Sequence, residues 1–248
     1  MGWAGEFAFV GAGVVFRGKA ADNRPHRHAT VQLTLGLDGP VTIDEILPGG
    51  VIRSASGAAL LVRPDVVHAL RAGPRVLLAL LPPQTRLAQR IMLGAPTGGV
   101  AALPPEIMAG IDTDSPLVHS LDALQARPTV APPADERFKR ALAFLAAARG
   151  SRPIERAADA AGLSVSRLRT LAQAHLEVPL ARWLMLRQLQ QAGQSLARGR
   201  SLAEAAVDAG FADQAHLTRQ MRRTFGVTPA TVAALVRAAP RRFVQDGG

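Results

Sequence analysis

The sequence predicts an α+β chain of two domains, an antiparallel β domain with accessory helices followed by an all-α domain. Three observations predict it. Short alternating or apolar runs, broken by Gly, Pro and Asp turns, fill residues 6 to 81. From Gln84 onward the apolar residues recur at helical spacing, with no strand candidate in the C-terminal half. The net charge of +10 is unevenly placed: residues 1–135 hold eleven Lys/Arg against eleven Asp/Glu, and residues 136–248 hold eighteen against eight. A stiff Pro-rich linker over 128–135 divides the domains, leaving 1–127 and 136–240 as the two folded units.

Strands are expected at 6–10, 14–17, 31–37, 41–46, 58–62 and 75–81. In Val31-Gln32-Leu33-Thr34-Leu35 the odd positions face a core. Pro40, Pro48-Gly49-Gly50, Pro64 and Gly73-Pro74 supply turns. Many short strands at this spacing indicate an antiparallel sandwich or barrel. A helix over 84–93 puts Leu87, Ile91 and Met92 on one face. A second over 116–126 turns Leu117, Leu121 and Leu124 inward.

With no cysteine, disulfides and thiolate metal sites are excluded. No N-terminal run resembles a signal peptide and no apolar stretch reaches the length of a membrane span, so a cytoplasmic protein without a membrane partner is expected. No general acid or base stands out in the histidine-bearing motif of the N-terminal half, and no enzyme activity is expected.

The basic half carries a pattern twice. Ala158 and Gly162 lie four apart with Leu168 six later; Ala206 and Gly210 lie four apart with Leu217 seven later. The small residue lets two helices approach, the glycine permits a left-handed turn, and the leucine locks the second helix onto the first. This is helix-turn-helix spacing. Ser164 can cap the second helix of the first unit, which then shows Ser166, Arg169, Thr170 and Gln173 on its outer face. The second unit shows Ala215, Arg219 and Arg222 outward, flanked by His216 and Arg223. Such a stripe enters a DNA major groove, where arginine pairs with guanine bidentately. Arg169 and Arg219 suit base contact; Arg167, Arg222 and Arg223 suit phosphates. A helix over 180–197 joins the units as a rod.

The stretch from Ser201 to Pro229, with Gly210-Phe211, His216 and Phe225-Gly226-Val227-Thr228-Pro229, resembles the DNA-binding domain of the AraC/XylS family of transcription regulators, as do residues 136–235 as a whole. The resemblance implies base reading by Ser166, Arg169, Thr170, Gln214, Ala215 and Arg219. The chain departs from the family pattern at Glu177, where a glycine is usual, at Leu171, usually aromatic, and at Gln188, usually arginine. Ala215 could touch only a thymine methyl.

In the neutral half, Arg24-Pro25-His26-Arg27-His28 and the later His68 resemble the small cupin barrel that precedes the DNA-binding domain in many such regulators. The resemblance implies a pocket around His26, His28, Gln32 and His68. Gln32 stands where metal-binding cupins have glutamate. Three readings stay open: an effector pocket or relic barrel, a divalent metal on His26, His28 and His68, or a cupin-type metalloenzyme with a basic helical appendage. The helices at 84–93 and 116–126 resemble a dimerisation segment, or simply cover the barrel. The function expected is a sequence-specific regulator bound to double-stranded DNA, controlled by a small effector or metal, acting as a homodimer and meeting RNA polymerase if it activates. A constitutive DNA-binding dimer without effector is the alternative.

Overall fold

A computed structural model describes residues 3–10, 13–21, 23–126, 135–147 and 152–238. The elements are β1 (Ala4–Val10), β2 (Gly13–Lys19), β3 (Val31–Gly36), β4 (Val41–Ile46), β5 (Ile52–Gly57), β6 (Ala59–Val62), β7 (His68–Leu70), β8 (Arg75–Leu81), α1 (Arg86–Gly94), β9 (Val100–Ala102), α2 (Pro105–Met108) and α3 (Asp122–Ala126). The helical half follows: α4 (Glu136–Ala147), α5 (Pro153–Ala161), α6 (Val165–Leu176), α7 (Leu180–Ala197), α8 (Leu202–Asp208), α9 (Gln214–Phe225) and α10 (Pro229–Ala238). All of the expected linker except Asp135 lies outside the described residues.

The strands form two antiparallel sheets, of order β1-β2-β8-β3-β6-β9 and β5-β4-β7. The middle strands of the larger sheet, β2, β8, β3 and β6, are buried on both faces. One face packs Val31, Leu33, Leu77 and Ala79 against Ile91 of α1 and Leu121. The other packs Phe16, Leu60 and Leu78 against Ile43 and Leu70 of the smaller sheet. The expected barrel is therefore an open pair of facing layers; among the described residues the sheets do not close by hydrogen bonding. Double-sided burial also modifies the reading of β3. Its odd positions do enter a core, but Gln32 and Thr34 are equally buried, because the even side faces the second layer.

Three strands were not expected. β5 (Ile-Arg-Ser-Ala-Ser-Gly) is polar and mostly exposed, since it pairs only with β4. β7 and β9 have three residues each and exist by pairing with distant β4 and β6. The helix expected over 116–126 is broken instead. A single 3-10 turn spans Leu117–His119, and α3 follows after Ser120, whose hydroxyl donates to the Leu117 carbonyl. Leu117, Leu121 and Leu124 still point inward.

In the helical half α7 is shared by two cores. Its first half gives Trp183 and Leu186 to a core with α4, α5 and α6; its second half gives Leu189 and Ala192 to a core with α8, α9 and α10. At 18 residues it is a rod of about 27 Å, packed against one recognition unit at each end.

Candidate functional site

Both helix-turn-helix units have the geometry their spacing dictates. Gly162 adopts φ +66° and Gly210 φ +79°, left-handed conformations that a side chain strains. The chain then turns back, with Leu163 N–H donating to Ala158 O and Phe211 N–H donating to Ala206 O, each at 2.9 Å. Ala158, Ala206, Leu168 and Leu217 are fully buried at the helix crossings. Ser164 caps α6 by accepting from Arg167 N–H at 3.1 Å, and Asp213 caps α9 by accepting from His216 N–H at 2.6 Å. The longer second turn thus ends on an Asp cap.

The faces left over are exposed. Ser166, Arg167, Arg169, Thr170 and Gln173 lie outward on α6, and Gln214, Ala215, Arg219, Arg222 and Arg223 outward on α9. Among the described residues none of these arginines forms an ion pair, so each guanidinium is free for an outside partner. Thr170 donates its hydroxyl to Ser166 O at 3.1 Å. Arg223 extends this positive surface toward Arg27 and Arg182; burial, and then those two charges, lower the Arg182 pKa.

The inner face of α9 serves another site. Met221 and Phe225, on the side of the helix away from Arg219 and Arg223, wall a pocket between the β layers and the helical half. Leu186 and Leu189 of α7 and Val232 of α10 complete the helical wall; Phe7, Phe16, Leu78 and Leu80 supply the β wall. Its empty space, open mouth included, is about 960 Å³. One end is polar, formed by Asn23, His26, His28, Thr30 and Gln32. Gly193, mid-helix in α7, has no Cβ because the Phe9 ring would lie 3.3 Å from it. Gly226, which ends α9 at φ +69°, is pressed between Asn23 and His26 in the same way.

At the polar end the structure brings together all four residues expected there, Gln32 from β3, His68 from β7, and His26 and His28 from the chain between strands. His26 and His28 sit in extended chain before β3, and only His26 bridges, to His68. The three rings lie 4.4 to 5.6 Å apart by centroid, with one ring nitrogen of each within 4.8 Å of the others. His28 Nε2 and His68 Nε2 lie 3.0 and 3.2 Å from Gln32 Oε1. His26 Nδ1 faces Arg24 O at 2.9 Å and His68 Nδ1 faces Val66 O at 3.0 Å. His68 thus has an oxygen at both ring nitrogens, and a neutral imidazole can donate to only one. His68 lies behind the other three, off the pocket wall.

Burial, with the neighbouring His26 second, pushes the His28 pKa down to about 4; burial also lowers His26 and His68. The unfolded chain then takes up these protons more readily than the folded one. The stability this contributes is complete above pH 6.5, the ordinary histidine value, and is lost as pH falls toward about 4. For the metal-free chain, His28 alone is expected to cost on the order of 3 kcal/mol over that interval. It is read as the difference in urea unfolding between wild type and His28→Leu; parallel pH profiles would show that His28 is not held neutral.

The two halves are also pinned by charge. In the turn between β6 and β7, Arg63 pairs with Glu177 at 3.1 Å and donates to Met92 O at 2.9 Å, while Asp65 pairs with Arg182. Trp183 Nε1–H donates to Gln84 Oε1 at 2.9 Å beside them. Glu177 and Asp65 both hold left-handed φ, +57° and +66°. Sequence reasoning missed these pairs, although the acid in a glycine's place at Glu177 was their signal. Glu177→Gly relieves about 1 kcal/mol of backbone strain while losing a half-exposed ion pair worth about 0–1 kcal/mol. It is expected to be neutral to stabilising in chemical denaturation, with Glu177→Ala less stable than both; an alanine variant as stable as the glycine one would show no strain there.

The helix-turn-helix domain family model matches residues 157–234, which contain both glycine turns and both exposed stripes. The C-terminal part is an AraC-type helix-turn-helix domain. The chain is a DNA-binding transcription regulator. A comparison with curated proteins finds no match. Among solved structures, the chain is similar to ToxT from Vibrio cholerae O395, with a TM-score of 0.57 and 10% identity over 94% of this chain and 99% of that one. A second is ToxT from Vibrio cholerae strain SCE256 with unsaturated fatty acid bound (0.56, 10%, 97% and 99%). A third is ToxT from O395 bound to (E)-4-(8-methylnaphthalen-1-yl)but-3-enoic acid (0.56, 10%, 93% and 99%). These likenesses establish a shared two-part fold. No helix among the described residues is long and apolar enough to cross a membrane.

Proposed function

We propose that this AraC-type regulator reads its operator with both units and is controlled by a small effector in the pocket behind them. One observation carries the reading: α9 presents Arg219 and Arg222 outward while Met221 and Phe225 of the same helix wall the pocket. An occupant touching α7, α9 and the β layers favours one arrangement of the halves over another, as control of affinity requires. Ser166, Arg169, Thr170, Gln214, Ala215 and Arg219 read bases, and Arg167, Arg222 and Arg223 hold phosphates. The effector domain is 1–127 and the DNA-binding domain 136–240, joined by 128–135. The ligand-bound ToxT structures, alike in fold, support an effector role for this region. The protein is a cytoplasmic homodimer paired through α1 and the 116–126 segment, meets RNA polymerase where it activates, and has no enzyme activity.

Selection of bound fragments from genomic DNA by the full chain, followed by sequencing, tests this. Enrichment of a short two-part motif at physiological salt is the expected result; recovery of bulk DNA only would refute it.

A divalent metal on His26, His28 and His68 is the second reading, favoured by the two oxygens facing His68 and by the backbone carbonyls that orient His26 and His68. Three imidazoles with the Gln32 amide suit a late first-row ion, which would hold the polar end together. Titration of the chelator-stripped chain with Zn²⁺ or Ni²⁺ should then give one site per chain, absent in His68→Ala. Heat-free titrations would leave the amide of Gln32 turned toward the rings as the whole explanation.

A further inference from the structure

The pocket's wall identifies what it would hold. Five of the chain's ten aromatic side chains (two Trp and eight Phe in all) converge on it: Trp3, Phe7, Phe9, Phe16 and Phe225. They come from the β half and from α9, and they offer both faces and edges, with Trp3 edge-on to Phe16 at 5.1 Å and Phe7 edge-on to Phe9 at 5.3 Å. Such a wall suits a flat apolar body. Among the described residues that line it, none is lysine or arginine, in a chain holding 29 of them.

The polar end reinforces this. Its groups are the amides of Asn23 and Gln32, the Thr30 hydroxyl and two buried imidazoles. These donate and accept hydrogen bonds but carry no fixed charge. A carboxylate placed here would lose its hydration with no lysine or arginine to replace it. A hydroxyl, ketone or amide would lose far less.

We infer that the pocket takes an uncharged aromatic molecule that turns a single hydroxyl, carbonyl or amide group toward His26, His28 and Gln32, and that it discriminates against carboxylates. This rests on the pocket being the effector site. It also sets the chain apart from the carboxylic acids bound in the ToxT structures of the same fold.

The test is calorimetric titration of the metal-free full chain, in chelator at neutral pH, with 1-naphthalenemethanol and 1-naphthoate, and with oleyl alcohol and oleate. The same titrations are run on Leu80→Trp, which fills the pocket from a half-buried position on its β wall; its melting curve shows whether it folds. Should it not fold, Val232→Phe on the opposite wall replaces it. The expected result is saturable binding of 1-naphthalenemethanol, at least about tenfold weaker binding of 1-naphthoate, and loss of both in the filled variant. Equal or tighter binding of either acid, lost in the filled variant, overturns the ligand class but leaves the pocket as the effector site. Oleyl alcohol binding better than 1-naphthalenemethanol overturns the aromatic preference, as does failure of 1-naphthalenemethanol to bind. Binding undisturbed in the filled variant overturns the pocket itself.

Discussion

Trp183→Ala is expected to lower the unfolding free energy by about 3–5 kcal/mol, the largest effect of any single substitution considered. The indole is 1% exposed and packs with Phe138, Leu168 and Leu186 in the core that carries the first recognition helix. Truncation leaves a cavity larger than its neighbours can fill, and it also removes the hydrogen bond to Gln84 that ties α7 to the β half. Set against a typical total of about 5–15 kcal/mol, such a loss is enough to unfold α4–α6 in a fraction of molecules. Urea denaturation by circular dichroism reads the size. Trp183→Phe keeps most of the packing and should lose about 1–2 kcal/mol, chiefly the hydrogen bond. Operator affinity should fall with stability in Trp183→Ala, because one of two recognition helices loses its support. A loss below 1 kcal/mol would mean that this joint is not packed as described.

Arg219→Ala and Arg222→Ala are expected to weaken DNA binding in different ways, although they lie three residues apart on α9. Arg219 projects near the helix centre, where the proposed role is bidentate pairing with guanine. Its loss should cost about 1–3 kcal/mol on the preferred operator and relax preference at one base pair. Arg222 lies nearer the C-terminal end, where phosphate contact is proposed. Its loss should weaken all sequences alike and reduce the salt slope by about one counterion. Binding across a panel of single-base operator variants, repeated at several salt concentrations, separates the two. If both variants lowered every sequence equally, the assignment of Arg219 to base reading would be wrong. Both side chains are exposed and unpaired among the described residues, so neither change should disturb folding.

The contrast between these predictions follows the two sides of α9. Polar residues on one side are the ones proposed to meet DNA, and Met221 and Phe225 on the other pack toward the pocket and toward Leu189 and Ala192 of α7. A ligand that wedges Phe225 or moves Gly226 against Asn23 and His26 acts directly on the end of the second recognition helix. The first recognition helix is held differently, through Glu177 and Arg182 at its far corner. One unit is seated over the pocket and the other clamped by charge, and under the proposed function an effector shifts one relative to the other.

How much of this the amino-acid order alone revealed divides along a physical line. The helical half was legible because its signals are local. Ala-Gly-Leu spacing, Ser164 as a cap and the outward stripe of Ser166, Arg169 and Thr170 all involve residues within a few turns, where α-helix geometry fixes who meets whom. The charge excess of that half needed only counting. The β half was legible strand by strand where the strand is buried, as in β3 and β8. It was not legible at β5, β7 and β9, which are polar or three residues long and hold their shape only through partners far away in the chain. His26, His28, Gln32 and His68 could be grouped by resemblance, but their convergence depends on the β7 bridge and the inward even face of β3. The aromatic pocket and the pairs Arg63–Glu177 and Asp65–Arg182 belong to tertiary structure alone. They join residues far apart in the chain, such as His28 and Phe225, 197 positions apart, and no local periodicity records which surfaces two separately folded cores press together.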